Sequence, residues 1–412
     1  MKKIIIIGGG IIGLSSAYYL LKEGYTVTVI DQYDISSGAS FVNAGYVSPS
    51  HVIPLAAPGM ISMGIKMMFN AASPFYLKPR INLDLWKWAW AFNKSCTIEN
   101  VKRGAPVIKD IAVFSRTLFE EMKENKVFDF HFEKKGILMC YQSAKFEDKE
   151  AYLAEVATEQ GLEVKHISKD KLKEMEPEME ANGAYHYLCD AHTIPDDFML
   201  EFKNYLTKQG VKFYLNQPVL GFDKKGTKIK NVKIENKNID CDEIVIAAGS
   251  WSPALVKMLE INLLVQAGKG YRINVARETN IKYPSILTDV NTAVTPMNGF
   301  TRFGGTMEIV GISSHINKIR VHQIAKNAKI FYPNVNINRA EMENAACGLR
   351  PVSPDGLPFI GRTKKYSNVC IATGHAMMGW TMGPATGKLI SEIVSEKQST
   401  LNLEPFSVDR KY

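Results

Sequence analysis

The stretch Ile4-Ile5-Ile6-Ile7-Gly8-Gly9-Gly10-Ile11-Ile12-Gly13 decides the fold. Four consecutive β-branched residues read as a short strand buried on both faces, as in the centre of a parallel sheet. The glycines follow as G-x-G-x-x-G, and residues 14–23 then have helical periodicity, ending at Gly24. Residues 25–30 read as a second strand, closed by Asp31, 18 residues beyond Gly13. Strand, glycine turn, helix, strand and acid in this order form the dinucleotide-binding βαβ unit. Gly8 makes the tight turn, Gly10 lets the backbone approach a pyrophosphate, and Gly13 allows the helix to pack closely on the strand. The helix start at Ile11 and Ile12 offers N–H groups and a positive partial charge to the phosphates. Asp31 accepts from a ribose 2′-OH and repels a 2′-phosphate.

The fingerprint alone leaves NAD and FAD open, because both share the ADP half. Two further segments favour the longer cofactor. Ser36-Ser37-Gly38-Ala39-Ser40 and Asn43-Ala44-Gly45 suit close approach of backbone to its far end. Near the other terminus, Thr373-Gly374-His375-Ala376-Met377-Met378-Gly379-Trp380-Thr381 precedes a helical run at 385–395. A helix N-terminus aimed at a flavin ring stabilises the negative charge of its reduced form.

The 412 residues, at about 150 per domain, suggest two or three domains. With 46% hydrophobic and 22% charged residues the chain is of ordinary globular composition, not disordered or fibrous. A net charge of +8 without a dense basic block gives little support to nucleic-acid binding. It leaves room for attraction to an anionic membrane surface. Cysteines 96, 140, 189, 241, 347 and 370 lie far apart. They suggest neither a zinc site nor a disulfide framework, and fit a reducing compartment. No metal site is expected. The opening residues do not read as a secretory signal, and no run is long enough to span a bilayer. The expectation is a cytoplasmic protein, with peripheral attachment to the inner face of the plasma membrane left open.

Strand and helix alternate again between 198 and 249: helix at 198–209, strand at 211–215, a hairpin segment at 227–235 and a strand at 244–248. Residues 105–125 read as an amphipathic helix, and 136–142 and 270–312 as strands separated by turns. The layout is α/β and discontinuous. An FAD-binding domain takes 1–58, 146–256 and 340–412, and a substrate-binding domain takes 59–145 and 257–339.

These segments together resemble the FAD-dependent D-amino-acid dehydrogenases, within the wider group of glycine oxidase, sarcosine oxidase and D-amino-acid oxidase. The resemblance spans nearly the whole chain. It rests on the opening motif with Asp31, on Ser40-Phe41-Val42-Asn43-Ala44-Gly45-Tyr46-Val47-Ser48-Pro49 and on Ala56-Ala57-Pro58-Gly59. Ala247-Ala248-Gly249-Ser250-Trp251-Ser252, Lys269-Gly270-Tyr271 and Gly304-Gly305-Thr306-Met307-Glu308-Ile309-Val310-Gly311 extend it, as do Gly348-Leu349-Arg350-Pro351-Val352-Ser353-Pro354-Asp355-Gly356-Leu357-Pro358 and the segment through Trp380 and Thr381. The resemblance implies a Rossmann-type, glutathione-reductase-like FAD-binding domain. It also implies a discontinuous α+β substrate domain on a large mixed or antiparallel sheet. FAD would be bound noncovalently, by Gly8, Gly10, Ile11, Ile12, Gly13, Asp31, Ser40, Asn43, Ala44, Gly45, Val219, Ala248, Gly249, Trp251, Gly374, Gly379, Trp380 and Thr381. The implied reaction is oxidative deamination of a small D-amino acid, D-proline and D-hydroxyproline included. Hydride passes from Cα to flavin N5 and the electrons go to a quinone or another acceptor rather than to oxygen. Its rivals are an oxygen-using glycine- or sarcosine-type oxidase, a 2-hydroxy-acid dehydrogenase and a flavin-binding subunit without turnover of its own.

In this family the substrate carboxylate meets an arginine, and Arg350 matches it. The alternative for Arg350 is an ion pair with Asp355. Several relatives carry a second arginine in a V-P-R strand. Here Val294-Thr295-Pro296-Met297 stands in that place with Arg302 five residues on, and the sequence leaves its sheet face open. Tyr271 is a candidate cover for the substrate carboxylate or amine, with packing as its alternative. His51 and His375 fall in segments expected beside the flavin. Cys347 lies near a covalent flavin position of some sarcosine oxidases, but strand alternation turns it to the opposite face. No catalytic base is assigned, since none is needed if the substrate amine binds neutral. Finally, 60–95 is rich in Met and Trp. It reads either as a membrane-docking surface that brings reduced flavin to quinone or as a helix of the substrate domain.

Overall fold

Strand Lys3–Ile7 lies at the centre of a six-stranded sheet, because its isoleucines have no polar face to turn to water. In order, the strands are Lys212–Tyr214, Thr26–Ile30, Lys3–Ile7, Glu243–Ile246, Val369–Thr373 and Phe359–Arg362. The first five run parallel, and the last pairs antiparallel with its neighbour. This computed structural model describes residues 1–60, 62, 75–78 and 80–412. Helices Ile11–Lys22 and Gly383–Val394 cover one face of the sheet side by side, close enough that a Cβ on Gly387 would strike the backbone of Ser15.

A nine-stranded sheet forms the second body. Its path runs Ala346–Val352, Gln266–Val275, Phe300–Ile309, Thr292–Met297, Ser285–Leu287, Ile137–Tyr141, Gly183–Tyr187 and Val164–Ser168, with Phe75–Leu77 added beside Phe300–Ile309. Most pairs are antiparallel, and two are parallel. Helix Lys318–Phe331 covers one face, burying Val321, Ile324 and Ala328 against Tyr271, Ile273 and Phe303. Sheet membership places Val164–Ser168, Gly183–Tyr187 and Ala346–Val352 with this body, although the sequence division sets 146–256 and 340–412 with the nucleotide sheet. A small sheet of Tyr46–Val47, Ala191–Thr193 and Phe132–Glu133 joins the two.

The local expectations hold to within a few residues for the helices Ile11–Lys22, Pro195–Lys208 and Gly383–Val394. The amphipathic helix expected at 105–125 starts earlier, at Ile98, where the Thr97 hydroxyl caps Asn100 N at 3.1 Å and Pro106 is absorbed in the helix. In the Met/Trp segment, Trp86-Lys87-Trp88-Ala89-Trp90 lies on helix Leu83–Ser95. Residues 61, 63–74 and 79, which include most of its methionines, lie outside the described residues. Among the described residues no helix is long and apolar enough to cross a membrane.

Candidate active site

A cavity of about 840 Å³ opens between the two bodies, at the upper end of the ~300–1,000 Å³ common for cofactor and ligand sites. One wall is the carboxyl end of the six-stranded sheet, with Gly8, Asp31 and Ala248. The other is the nine-stranded sheet, with Gly270, Gly304 and Arg350. The position follows from topology, since ligands of open α/β sheets sit beyond the carboxyl ends of the strands.

At the nucleotide end, Gly8 (φ +111°) lies so near Ala247 that any Cβ would collide with its carbonyl. A Cβ on Gly10 would lie 3.2 Å from Ser40 Oγ. The Ser40 hydroxyl accepts from Ile11 N at 3.0 Å. Asp31 accepts from Gly9 N at 2.6 Å and Tyr33 N at 2.8 Å, and burial still raises its carboxyl above the ordinary range. Val219, Gly249 and Trp251 line this end. Helix Ile11–Lys22 carries no acidic residue in its first turn and no side-chain cap from Gly10, so beyond the Ser40 contact its positive end is left for an anion. Gly13, Gly45 and Gly374, expected at the cofactor, do not reach the cavity. Each permits a close backbone approach beneath it, against Gly8 O, Thr193 O and the Phe359 ring respectively.

The next segment is tied down by its own polar groups. Asn43 Oδ1 accepts from Gly45 N at 2.9 Å, and Ala44 O accepts from Thr295 Oγ1 at 2.8 Å. Thr381 Oγ1 donates to Tyr46 O at 3.0 Å and accepts from Ser48 N at 3.1 Å. Trp380 borders the cavity, but its indole N–H is committed to Thr193 Oγ1 at 2.9 Å and its ring packs edge-on against Phe198. These residues shape the wall, and Gly379 borders the cavity beside them.

Strand register sorts the remaining candidates. Arg350 stands opposite Gly268 in the pairing of Ala346–Val352 with Gln266–Val275, so its side chain shares a face with Gly268, Gly270 and Arg272. The guanidinium lies over Gly270, where a Cβ would overlap it. It donates to Thr306 O at 2.8 Å, and Thr306 holds a left-handed backbone (φ +68°) that few non-glycine residues adopt. Among the described residues no carboxylate pairs with Arg350, and burial alone lowers its pKa to about 10, leaving it charged at neutral pH. The expected rival partner, Asp355, is taken by Arg410 at 2.8 and 2.9 Å.

Tyr271 borders the cavity, but its side chain follows the packing alternative. One residue on from Gly270, it points to the other face, into the core with Phe303 and Ile324, and its hydroxyl donates to the Glu308 carboxylate, which also pairs with Lys269 and Arg320. Strand alternation, not residue type, decides this. Cys347, opposite Tyr271, faces the same way and bonds Ser314 O. Arg302 lies on the cavity face but is fully committed, to Asp196 Oδ2 at 2.9 Å, Asn43 O at 2.6 Å and Asn274 Oδ1 at 3.0 Å. Two cavity residues escaped the sequence reading. Arg272 has its Nε buried without a partner. The buried Glu150 accepts no hydrogen bond, and its nearest cation is Lys149 Nζ at 3.5 Å. The alternation from Gly270 could have found Arg272, whereas nothing local marks Glu150.

Both histidines border the cavity and are held neutral by burial. His51, pushed down to about 4, contacts Ser50 Oγ at 3.2 Å, and His375, pushed down to about 3, contacts Thr386 Oγ1 at 3.0 Å.

A dinucleotide cradle joined to a pocket whose buried cation has no carboxylate partner among the described residues is the layout of a dinucleotide-dependent enzyme. The family model described as FAD dependent oxidoreductase matches residues 3–393, and the chain belongs to that family. It is 30% identical to a D-amino acid dehydrogenase of Helicobacter pylori over 98% of this chain and 97% of the relative. Identity to a D-amino acid dehydrogenase of Neisseria gonorrhoeae is 28% over 99% of each. The crystal structure of glycine oxidase from Geobacillus kaustophilus superposes with a TM-score of 0.79 at 20% identity, covering 100% of both chains. The cofactor is FAD. The glycine cradle at the helix start and the two-walled cavity, bordered by Asp31 and Val219 at one end and by Ala44 and residues 375–381 at the other, fit it.

Proposed function

We propose that the protein is a D-amino-acid dehydrogenase, D-proline and D-hydroxyproline among its substrates, which delivers electrons to a quinone. The observation that carries this reading is Arg350, a buried cation on the cavity wall with no anionic partner among the described residues. A buried charge left unpaired costs several kcal/mol, and a substrate carboxylate supplies the missing partner through charge-assisted bonds. Thr306 O holds the guanidinium in place, and Arg272 stands on the same face to extend the positive wall. His51 and His375, both neutral, add no competing charge beside the substrate amine. Bound FAD would supply the hydride acceptor for Cα, so that a primary amine would become an imine that water hydrolyses to a 2-oxo acid and ammonia, and a ring amine such as D-proline would become a cyclic imine.

The test is an anaerobic titration of the yellow holoenzyme. Matched D- and L-amino acids are added while the flavin absorbance is followed. Bleaching by D-forms alone is expected, with slow recovery in air and fast recovery with a soluble quinone. Bleaching by no amino acid sinks the proposal, and rapid recovery in air would replace the dehydrogenase by an oxidase.

Helix Leu83–Ser95 supports a docking role. Leu83, Trp86 and Trp90 are 78%, 63% and 59% exposed on it, and the Lys94 ammonium lies 3.9 Å from the Trp90 ring centre. Trp and Lys together suit the interface of an anionic bilayer. Co-sedimentation with anionic vesicles is expected to fall about tenfold in Trp86→Ser/Trp90→Ser, since losing ~1.4 kcal/mol suffices, with turnover on a soluble acceptor unchanged. Wild-type protein that stays in the supernatant would refute the docking role.

A further inference from the structure

His131, Glu133 and His192 lie 61 residues apart in sequence at their widest but meet on the small sheet. Glu133 stands directly opposite His192 in the antiparallel pair Phe132–Glu133 with Ala191–Thr193. His131, two residues before Glu133, falls on the same side by strand alternation. Their ligand atoms converge on one point. His131 Nε2 and His192 Nε2 are 3.4 Å apart, and Glu133 Oε2 lies 3.6 Å from the first and 3.5 Å from the second.

These separations are long for hydrogen bonds, whose N···O distance is typically ~2.7–3.2 Å. They are, however, the edges of one face of a metal tetrahedron. Zn–N and Zn–O bonds of about 2.0–2.2 Å in tetrahedral geometry place ligands roughly 3.3–3.6 Å apart. An octahedral ion with bonds of about 2.1 Å would draw them to roughly 3.0 Å. Two independent features orient the set. Lys135 Nζ holds the other carboxylate oxygen, Oε1, at 2.8 Å, which turns Oε2 toward the imidazoles. His192 is almost completely buried, so packing fixes its ring with Nε2 turned toward Glu133 and His131.

We infer that His131, Glu133 and His192 bind one Zn2+ tetrahedrally, with the fourth position open to water. The site is outside the reaction pocket, and its consequence is mechanical. His192 pairs with Tyr46, and the next residue, Thr193, carries the Trp380 indole N–H and the close approach of Gly45. A metal bound here clasps the Phe132–Glu133 strand to the strand behind the cavity wall.

The experiment uses untagged holoenzyme, stripped with a chelator and dialysed against buffered free Zn2+, with bound metal measured by atomic emission. One zinc per chain is expected, together with a Tm that rises with free zinc as binding to the folded state requires. His131→Ala and Glu133→Gln change partly exposed residues and should fold with full FAD content. Each is expected to weaken zinc binding by about 100-fold, the top of the range for disturbing a metal's outer shell, and to abolish the zinc-dependent Tm rise. No stoichiometric zinc in the wild type, or zinc retained equally by both variants, overturns the assignment.

Discussion

Arg350→Ala is expected to lower kcat/KM for D-amino acids by about 10²–10³ while leaving FAD content unchanged. Truncating one partner of a buried charge pair removes about 2–5 kcal/mol of binding, and 1.36 kcal/mol is tenfold in rate. The Arg350 variant differs from an ordinary core disruption in its stability. The guanidinium is buried with Thr306 O as its one hydrogen-bond partner among the described residues, so the free enzyme already carries its desolvation. Removing it should leave Tm unchanged or raise it, the sign expected of a residue kept for a ligand. Tyr271→Phe provides the contrast. Its hydroxyl serves the Glu308 cluster on the opposite face, so its loss should lower Tm and leave kcat/KM within a few-fold. Steady-state kinetics and thermal denaturation of the two variants decide the matter. A Tyr271→Phe collapse in kcat/KM beside an unaffected Arg350→Ala would reverse the assignment.

The contrast between Arg350 and Tyr271 also marks how far the sequence is legible. The nucleotide half is local. Strand, glycine turn, helix and acid lie within Lys3–Asp31, and their geometry follows from short-range rules of backbone freedom and helix dipoles. The substrate half depends on register across strands distant in sequence. Whether a residue of Gln266–Val275 faces the cavity is a matter of parity, and Gly270 opposite Gly348 fixes it only once the pairing is known. The sequence therefore leaves Tyr271 open between cavity and packing and gives no place to Arg272, which the register puts on the face of Arg350. Arg302 shows a different limit. The sequence left its face open. The structure puts it on the cavity face, where Asp196, at the start of helix Pro195–Lys208, neutralises it.

Side-chain type leaves the manner of contact open. Trp380 reads as a flavin neighbour because of its glycine-rich segment; it borders the cavity, with its indole N–H held by Thr193. The His131–Glu133–His192 cluster had no local signal at all. Histidines this far apart carry no ligand spacing, and only the pairing of two- and three-residue strands brings them together. Elements so short have little periodicity to detect.

Gly13→Ala is expected to yield protein that purifies with little flavin and unfolds at a lower temperature. In an exposed helix interior the same change stabilises by about 1 kcal/mol, since alanine is the better helix former. Here the sign reverses for a purely steric reason. A Cβ on Gly13 would fall far inside contact distance of Gly8 O and 3.0 Å from Gly8 C, and both are backbone atoms that no rotamer change can move. Helix Ile11–Lys22 must therefore lift from strand Lys3–Ile7. Overpacking of this kind costs typically 1–3 kcal/mol, and it strikes where the strand, the glycine turn and the N–H groups at Ile11 and Ile12 are set against one another. The flavin loss should exceed the stability loss, because displacing those N–H groups by about 1 Å weakens the pyrophosphate contacts on which positioning depends. Gly24→Ala is the control. Gly24 is also strained for a side chain (φ +81°) but has nothing within 4 Å, so it should lower Tm modestly and keep its FAD. The ratio of flavin to protein absorbance after gel filtration, with Tm measured with and without added FAD, separates the two. Full flavin content in Gly13→Ala would mean that the helix can shift without disturbing the cradle, and that the close helix–strand contact serves the fold alone.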